Sequence, residues 1–226
     1  MLLAQNLAGI PLVGLLVAAV WIVILGLFIL RRKLGIIDVC VIASLVALSL
    51  ATNYLLIWLP NVKIMDLIVF SSGFCFGSFV GICTGALIWA VYGSLNPYGF
   101  DFLIWIAAMI CESIYGVVGS SLRKFNPSIF ERSSGKRRLL FNYEVALAGL
   151  LATFAYDLLT NIVSGISFSW LYFGSVRWPI VAGIMVSGVP FALIHEFSNA
   201  VLFFFGAVPL LLAVKELREH GYAKLR

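Results

Sequence analysis

Long apolar runs alternate with short polar breaks along the chain. The runs cover 8–30, 36–58, 64–77, 79–94, 102–122, 140–165 and 179–214, and each is read as a helix. The third and fourth form a single run in the pattern. One helix over 64–94 would extend about 46 Å at 1.5 Å per residue, well beyond a hydrocarbon core of about 30 Å.

Charge separates the two readings of 64–94. All the basic residues except Lys63 and Arg177 fall in three clusters: Arg31–Lys33, Arg123–Arg138 and Lys215–Arg226. Basic residues favour the cytoplasmic side of a membrane. Two short spans turning near Gly77–Ser78 put all three clusters on that side, whereas one span puts the largest cluster outside. The expectation is therefore seven spans, with the N-terminus outside and the C-terminus cytoplasmic.

Composition makes the membrane reading firm. The chain has 226 residues, 62% hydrophobic and only 11% charged, against about 25% charged in soluble domains. This is the composition of a polytopic membrane protein with no room for a second large domain. No secretory leader is expected, because the run from Leu7 to Leu30 lacks a basic n-region and is long enough to stay in the bilayer. The basic balance reports topology and contact with anionic lipid, not nucleic acid. Cys40, Cys75, Cys83 and Cys111 all lie in apolar segments without CxxC spacing and read as small packing residues.

Three loops then face outside: Trp58–Lys63, Leu95–Asp101 and Ile166–Trp178. They carry Trp58, Tyr98, Phe100, Phe168, Trp170, Tyr172, Phe173 and Trp178. Such residues form either an interfacial aromatic belt or a lid over a ligand. "ISFSWLYFGSVRW" is the best lid candidate.

Two stripes of small residues stand out. Gly73, Gly77, Gly81 and Gly85 form a four-residue ladder through the hairpin, suited to close helix packing. Ala43, Ala47 and Ala51 form a flat stripe on the second run, fit either for internal packing or for docking a second membrane subunit.

Polar residues inside spans are the third feature. They are Glu112 in "MICESIYGVVG", Asp157 and Asn161 in "FAYDLLTNI", and His195, Glu196 and Asn199 in "HEFSN". An ionisable residue costs at least about 2.5 kcal/mol inside a bilayer, so it faces a cavity, a partner or a pathway. Asp157 pairing with His195 would lock helices together; a shared polar pocket is the other reading. "HEFSN" comes within one residue of the zinc signature HExxH. Its second ligand position is Asn199, a poor zinc ligand, and the other histidine, His220, is in the basic tail. No metal site, cofactor or catalytic residue is expected. The i, i+4 pair His195 and Asn199 instead aims an imidazole and a carboxamide at one point. No GxxxxGK[ST] or GxSxG motif occurs, so active transport would draw its energy from a partner or an ion gradient.

From about residue 36 the chain resembles the substrate-binding S-components of energy-coupling factor (ECF) vitamin transporters. The resemblance rests on "ASLVALSLA", "LPNVKIMDLIVFSSGFCFGSFVGICTGAL", "NPYGF" followed by "ESIYGVVG", "YDLLTN" and "PFALIHEFSNAVLFF", in the family's order. It implies an all-α bundle, with a six-helix substrate-binding core over 36–226 and an additional N-terminal span and basic linker over 1–35. It implies a membrane subunit, not an enzyme, that binds a vitamin or related micronutrient from outside. Delivery would follow with a membrane T-component and two cytoplasmic ATPases. Ala43, Ala47 and Ala51 would face the T-component. Glu112, Asp157, Asn161, Trp170, His195 and Asn199, with the loop after Trp58, would form the ligand pocket. Buried acids with flanking aromatics suit a cationic ring such as a thiamine-like or pyrimidine compound; flavins, corrinoids, folates and biotin stay open. A gradient-driven carrier or channel, an intramembrane enzyme and a structural subunit are the alternatives.

Overall fold

The computed structural model describes residues 35–96, 99–126 and 135–223, with side chains described as far as Glu216. The run 8–30, the cluster Arg31–Lys33 and the His220 side chain lie outside the described residues. Among the described residues there are six helices and no strand: α1 (Ile36–Leu55), α2 (Met65–Phe76), α3 (Ser78–Tyr92), α4 (Phe102–Phe125), α5 (Gly135–Phe173) and α6 (Trp178–Ala223). An all-helical bundle is thus the observed class. Four helices, α1, α4, α5 and α6, are long and apolar enough to cross a bilayer.

The break in 64–94 falls where the sequence reading placed it. Gly77 adopts φ +96°, a conformation that L side chains rarely take, and separates α2 from α3. Both helices are short, as the reading of a short hairpin has them. Their 12 and 15 residues extend about 18 and 22 Å, short of a core of about 30 Å. They pack as a pair on α4. Ideal Cβ atoms at Gly81 and Gly116 would each come within 2.6 Å of the other's Cα, and one at Gly85 would lie 3.0 Å from the Glu112 backbone. The glycine ladder is therefore split. Gly73, Gly81 and Gly85 bring backbones together against α4, and Gly77 makes the hinge.

α2 is buried almost along its whole length, from Met65 to Cys75. Arg123 closes its far end by donating from Nη1 to the carbonyls of Phe74 and Cys75, at 3.0 and 2.7 Å. Helix C-terminal carbonyls have no partner within the helix, and a cation there complements the helix dipole. Phe70, Phe74, Phe141 and Phe203 interlock below, so α2, α5 and α6 share one core.

α5 and α6 run antiparallel through the bundle. The segment 166–178 is not the open loop expected: α5 continues as helix to Phe173. Only a tight turn follows, with Gly174 at φ +66°. Ser169 Oγ staples this turn, accepting from the Arg177 N–H at 2.8 Å and donating to the Ser175 carbonyl at 2.9 Å. Trp58, Phe100, Phe168, Tyr172, Phe173 and Trp178 are all exposed, the arrangement of an aromatic belt rather than a lid. Pro190 and Pro209 lie inside α6, each removing one helical donor.

The candidate site: a buried carboxylate–histidine cluster under a cleft

Asp66 sits in the first turn of α2 and is fully buried. Its Oδ2 lies 2.7 Å from His195 Nε2 and accepts from Asn199 Nδ2 at 2.6 Å. Because α6 repeats every 3.6 residues, His195 and Asn199 share one face and meet the same oxygen. The other ring nitrogen, Nδ1, lies 2.9 and 3.1 Å from the two carboxylate oxygens of Asp157 on α5. The imidazole thus bridges two carboxyls. A neutral ring carries one N–H, so hydrogen bonds on both sides need a second proton, on the ring or on a carboxyl.

Asn199 also donates to Thr153 Oγ1 at 2.8 Å, and Tyr115 donates to the same oxygen at 2.9 Å. Thr153 in turn donates to the Gly149 carbonyl at 2.8 Å. Glu112 enters from α4. Its Oε2 accepts from Trp89 Nε1 at 3.1 Å, and its carboxyl is close enough to interact directly with that of Asp66. Buried polar groups in native structures are normally paired. Here Asn199 Oδ1 has no partner among the described residues, and Asp66 Oδ1 and Glu112 Oε1 have none beyond the interaction of the two carboxyls, although all three side chains are completely buried.

A cleft of about 110 Å³ lies between the α1–α2 connection, the end of α1 and the end of α3; Trp89 joins its wall to Glu112, while the cluster's acids, His195 and Asn199 do not line it. Asn53, Asn61, Lys63, Trp89, Tyr92 and Asn96 give it its polar and aromatic lining. Asn61 adopts φ +55° and donates from Nδ2 to the Phe191 carbonyl at 3.1 Å, fastening the connection to α6. The Lys63 ammonium lies over the rings of Trp89 and Tyr156, at 5.2 and 5.0 Å from their centroids.

The structure brings together four of the six residues singled out from the sequence: Glu112, Asp157, His195 and Asn199. Asn161 lies one turn beyond Asp157 and packs against α6 at Gly188. Trp170 does not join them: it is thirteen residues past Asp157 on the same continuous helix, about 20 Å along the axis. Sequence reasoning passed over Asp66, the hub, and with it Trp89, Tyr115, Thr153 and Tyr156; Lys63 falls in the loop after Trp58 that it had assigned to the pocket. The usable signal was an acid two residues inside an apolar run, in "KIMDLIVF".

Among the described residues no group of three His, Cys, Asp or Glu has the arrangement to hold a metal ion. The cysteines are free; Cys75, Cys83 and Cys111 are buried and Cys40 is exposed. Ala43, Ala47 and Ala51 are all exposed, while α1 turns Ile42, Ser49 and Asn53 inward. Among the described residues, then, no side chain packs over the alanine stripe. No protein family, curated protein or solved structure matches the chain.

Proposed function

We propose that the chain is the substrate-binding membrane subunit of an ECF-type importer. In this reading it takes a vitamin or related micronutrient from the outer face and passes it inward with T-component and ATPase partners. The observation that carries the reading is the cleft of about 110 Å³ whose wall residue Trp89 bonds to Glu112 of a buried polar cluster in which Asn199 Oδ1 is unpaired among the described residues. A purely structural cluster pairs its buried polar atoms. A binding site keeps some for the ligand, at a cost in stability.

The α1–α2 connection, the α3–α4 connection and the α5–α6 turn lie at one end of the bundle. Ser167 near the end of α5 donates to Asp101 at 2.6 Å, and Asn61 reaches α6. That end is the proposed ligand entrance. The exposed stripe of Ala43, Ala47 and Ala51 supports the partner half of the reading, since small side chains let a second membrane helix approach closely. The test is purification under native conditions with mass spectrometry of any small molecule that co-purifies. Uptake in liposomes containing T-component and ATPase subunits completes it. A protein that carries nothing and supports no ATP-dependent uptake contradicts the reading.

One observation favours a second reading. The line Asp66–His195–Asp157 is a buried chain of titratable groups, and such chains serve as proton relays in gradient-driven carriers. Uptake by the chain alone, driven by a pH gradient in liposomes without ATPases, would favour this carrier.

A further inference from the structure

The Lys63 ammonium occupies a receptor built for a cation. The rings of Trp89 and Tyr156 lie 6.4 Å apart, tilted by 31°, and Lys63 Nζ is placed over both faces. A cation within about 6 Å of a ring centroid is attracted by the ring quadrupole. Trp89 is itself bonded to Glu112, and Lys63 acts electrostatically on both Asp66 and Glu112. Aromatic faces backed by buried carboxyls are the chemistry of cation recognition.

The occupant is loosely held. Lys63 lies on the short connection between α1 and α2 and lines the cleft. Among the described residues no ion pair holds its ammonium. Among the described residues, Lys63 is the cation that acts on both Asp66 and Glu112, and His195 lies between Asp66 and Asp157. When Lys63 swings out, a cationic ligand restores the balance, whereas a neutral or anionic one leaves the carboxyls short of a partner.

We propose that Lys63 is a tethered stand-in for the ligand, and that the site takes an organic cation whose charged nitrogen displaces the Lys63 ammonium from Trp89 and Tyr156. This rests on the substrate-binding reading above and gives its ligand a chemical class. It also makes Lys63 a competitor: ligand binds only the fraction of molecules whose lysine is out, so apparent affinity is lowered by that fraction.

The test uses three aromatic probes of similar size and different charge: N-methylpyridinium, benzamide and benzoate. Their affinities are measured by calorimetry on the full chain in detergent. Lys63→Met should bind N-methylpyridinium about ten-fold or more tightly than the wild type, because the competitor is gone. Lys63→Arg, which keeps a cation, should stay near wild type. Benzamide and benzoate should gain nothing. Adding Glu112→Gln to Lys63→Met should weaken N-methylpyridinium again, with thermal melts confirming that each variant is folded. Unchanged N-methylpyridinium affinity in Lys63→Met overturns the proposal, as does benzoate binding that is lost with Lys63, which would make the lysine an anchor for an anion. A neutral or anionic molecule co-purifying in the cleft overturns the cation class and leaves the binding-subunit reading intact. Tight N-methylpyridinium binding by a chain that supports no ATP-dependent uptake keeps this inference and removes the importer reading.

Discussion

Asp66 Oδ2 lies 2.7 Å from His195 Nε2, joining the start of α2 to the middle of α6 with neither side chain exposed. The same oxygen accepts from Asn199. One short, wholly buried helix is thereby tied to the longest helix at a single atom. Removing that atom strands an imidazole and a carboxamide in the core. Loss of one partner from a buried pair costs about 3–5 kcal/mol. Asp66→Ala should therefore lower the melting temperature strongly, and Asp66→Asn, which keeps an acceptor, should lower it less. Thermal melts of the three proteins in one detergent decide this. Equal melting temperatures would deny Asp66 its place as hub.

Asn199 is expected to hold the fold together through its amide nitrogen, whatever its free carbonyl oxygen does for a ligand. Nδ2 reaches Asp66 and Thr153. Asn199→Ala should destabilise the ligand-free protein by about 1–3 kcal/mol. Thr153→Val in that background should cost less than Thr153→Val alone, with a coupling of about 0.5–3 kcal/mol for directly bonded neighbours. A double-mutant cycle on denaturation free energies measures the coupling, and strict additivity would contradict it.

The glycines separate into those at closed backbone contacts and those that face open space. A Cβ at Gly81 would meet the Gly116 Cα at 2.6 Å and the Gly73 Cα at 2.9 Å, all backbone that cannot step aside. Overpacking a closed contact costs about 1–3 kcal/mol or more, so Gly81→Ala should destabilise at least that much. At Gly183, within α6, nothing lies within 4 Å of an added Cβ. Gly183→Ala should be neutral or stabilise by up to about 1 kcal/mol through helix propensity. Parallel melts of the two variants should move in opposite directions or, at the least, differ by more than 1 kcal/mol.

What the sequence made legible follows from the physics of each feature. Apolar runs and a glycine hinge are local, and the break at Gly77 was read correctly from them. The pairing of Asp157 with His195 was one of two stated readings, because buried charges seek partners. Whether α2 and α3 cross a bilayer is a matter of length and packing, and their pattern alone reads as two short spans. Asp66 was missed because an acid near the start of a helix has an ordinary explanation in the helix dipole. Only the tertiary fold shows that it points inward, at α6. Trp170 stands apart from the cluster for the opposite reason: local aromatic richness suggested a lid, but α5 carries its helix through to Phe173. The proposed additional span over 8–30 lies outside the described residues.

The alanine stripe gives the sharpest test of the partner half of the proposed function. Ala43, Ala47 and Ala51 recur every four residues on α1, so they line one face, and that face is exposed. The inward face of α1 is carried instead by Ile42, Ser49 and Asn53. A bulky residue at Ala47 therefore has space in the isolated chain and should leave its melting temperature unchanged. In a complex it would stand where a partner helix must approach closely. Ala47→Trp should then keep ligand binding and abolish ATP-dependent uptake with T-component and ATPase subunits, while Leu48→Trp, at an exposed position about 100° round the same helix, serves as the control for bulk alone. Three measurements on each variant suffice: a melt, a binding isotherm and an uptake assay. Normal uptake by Ala47→Trp would show that the stripe meets only lipid. A lowered melt would place it inside a contact of the chain itself.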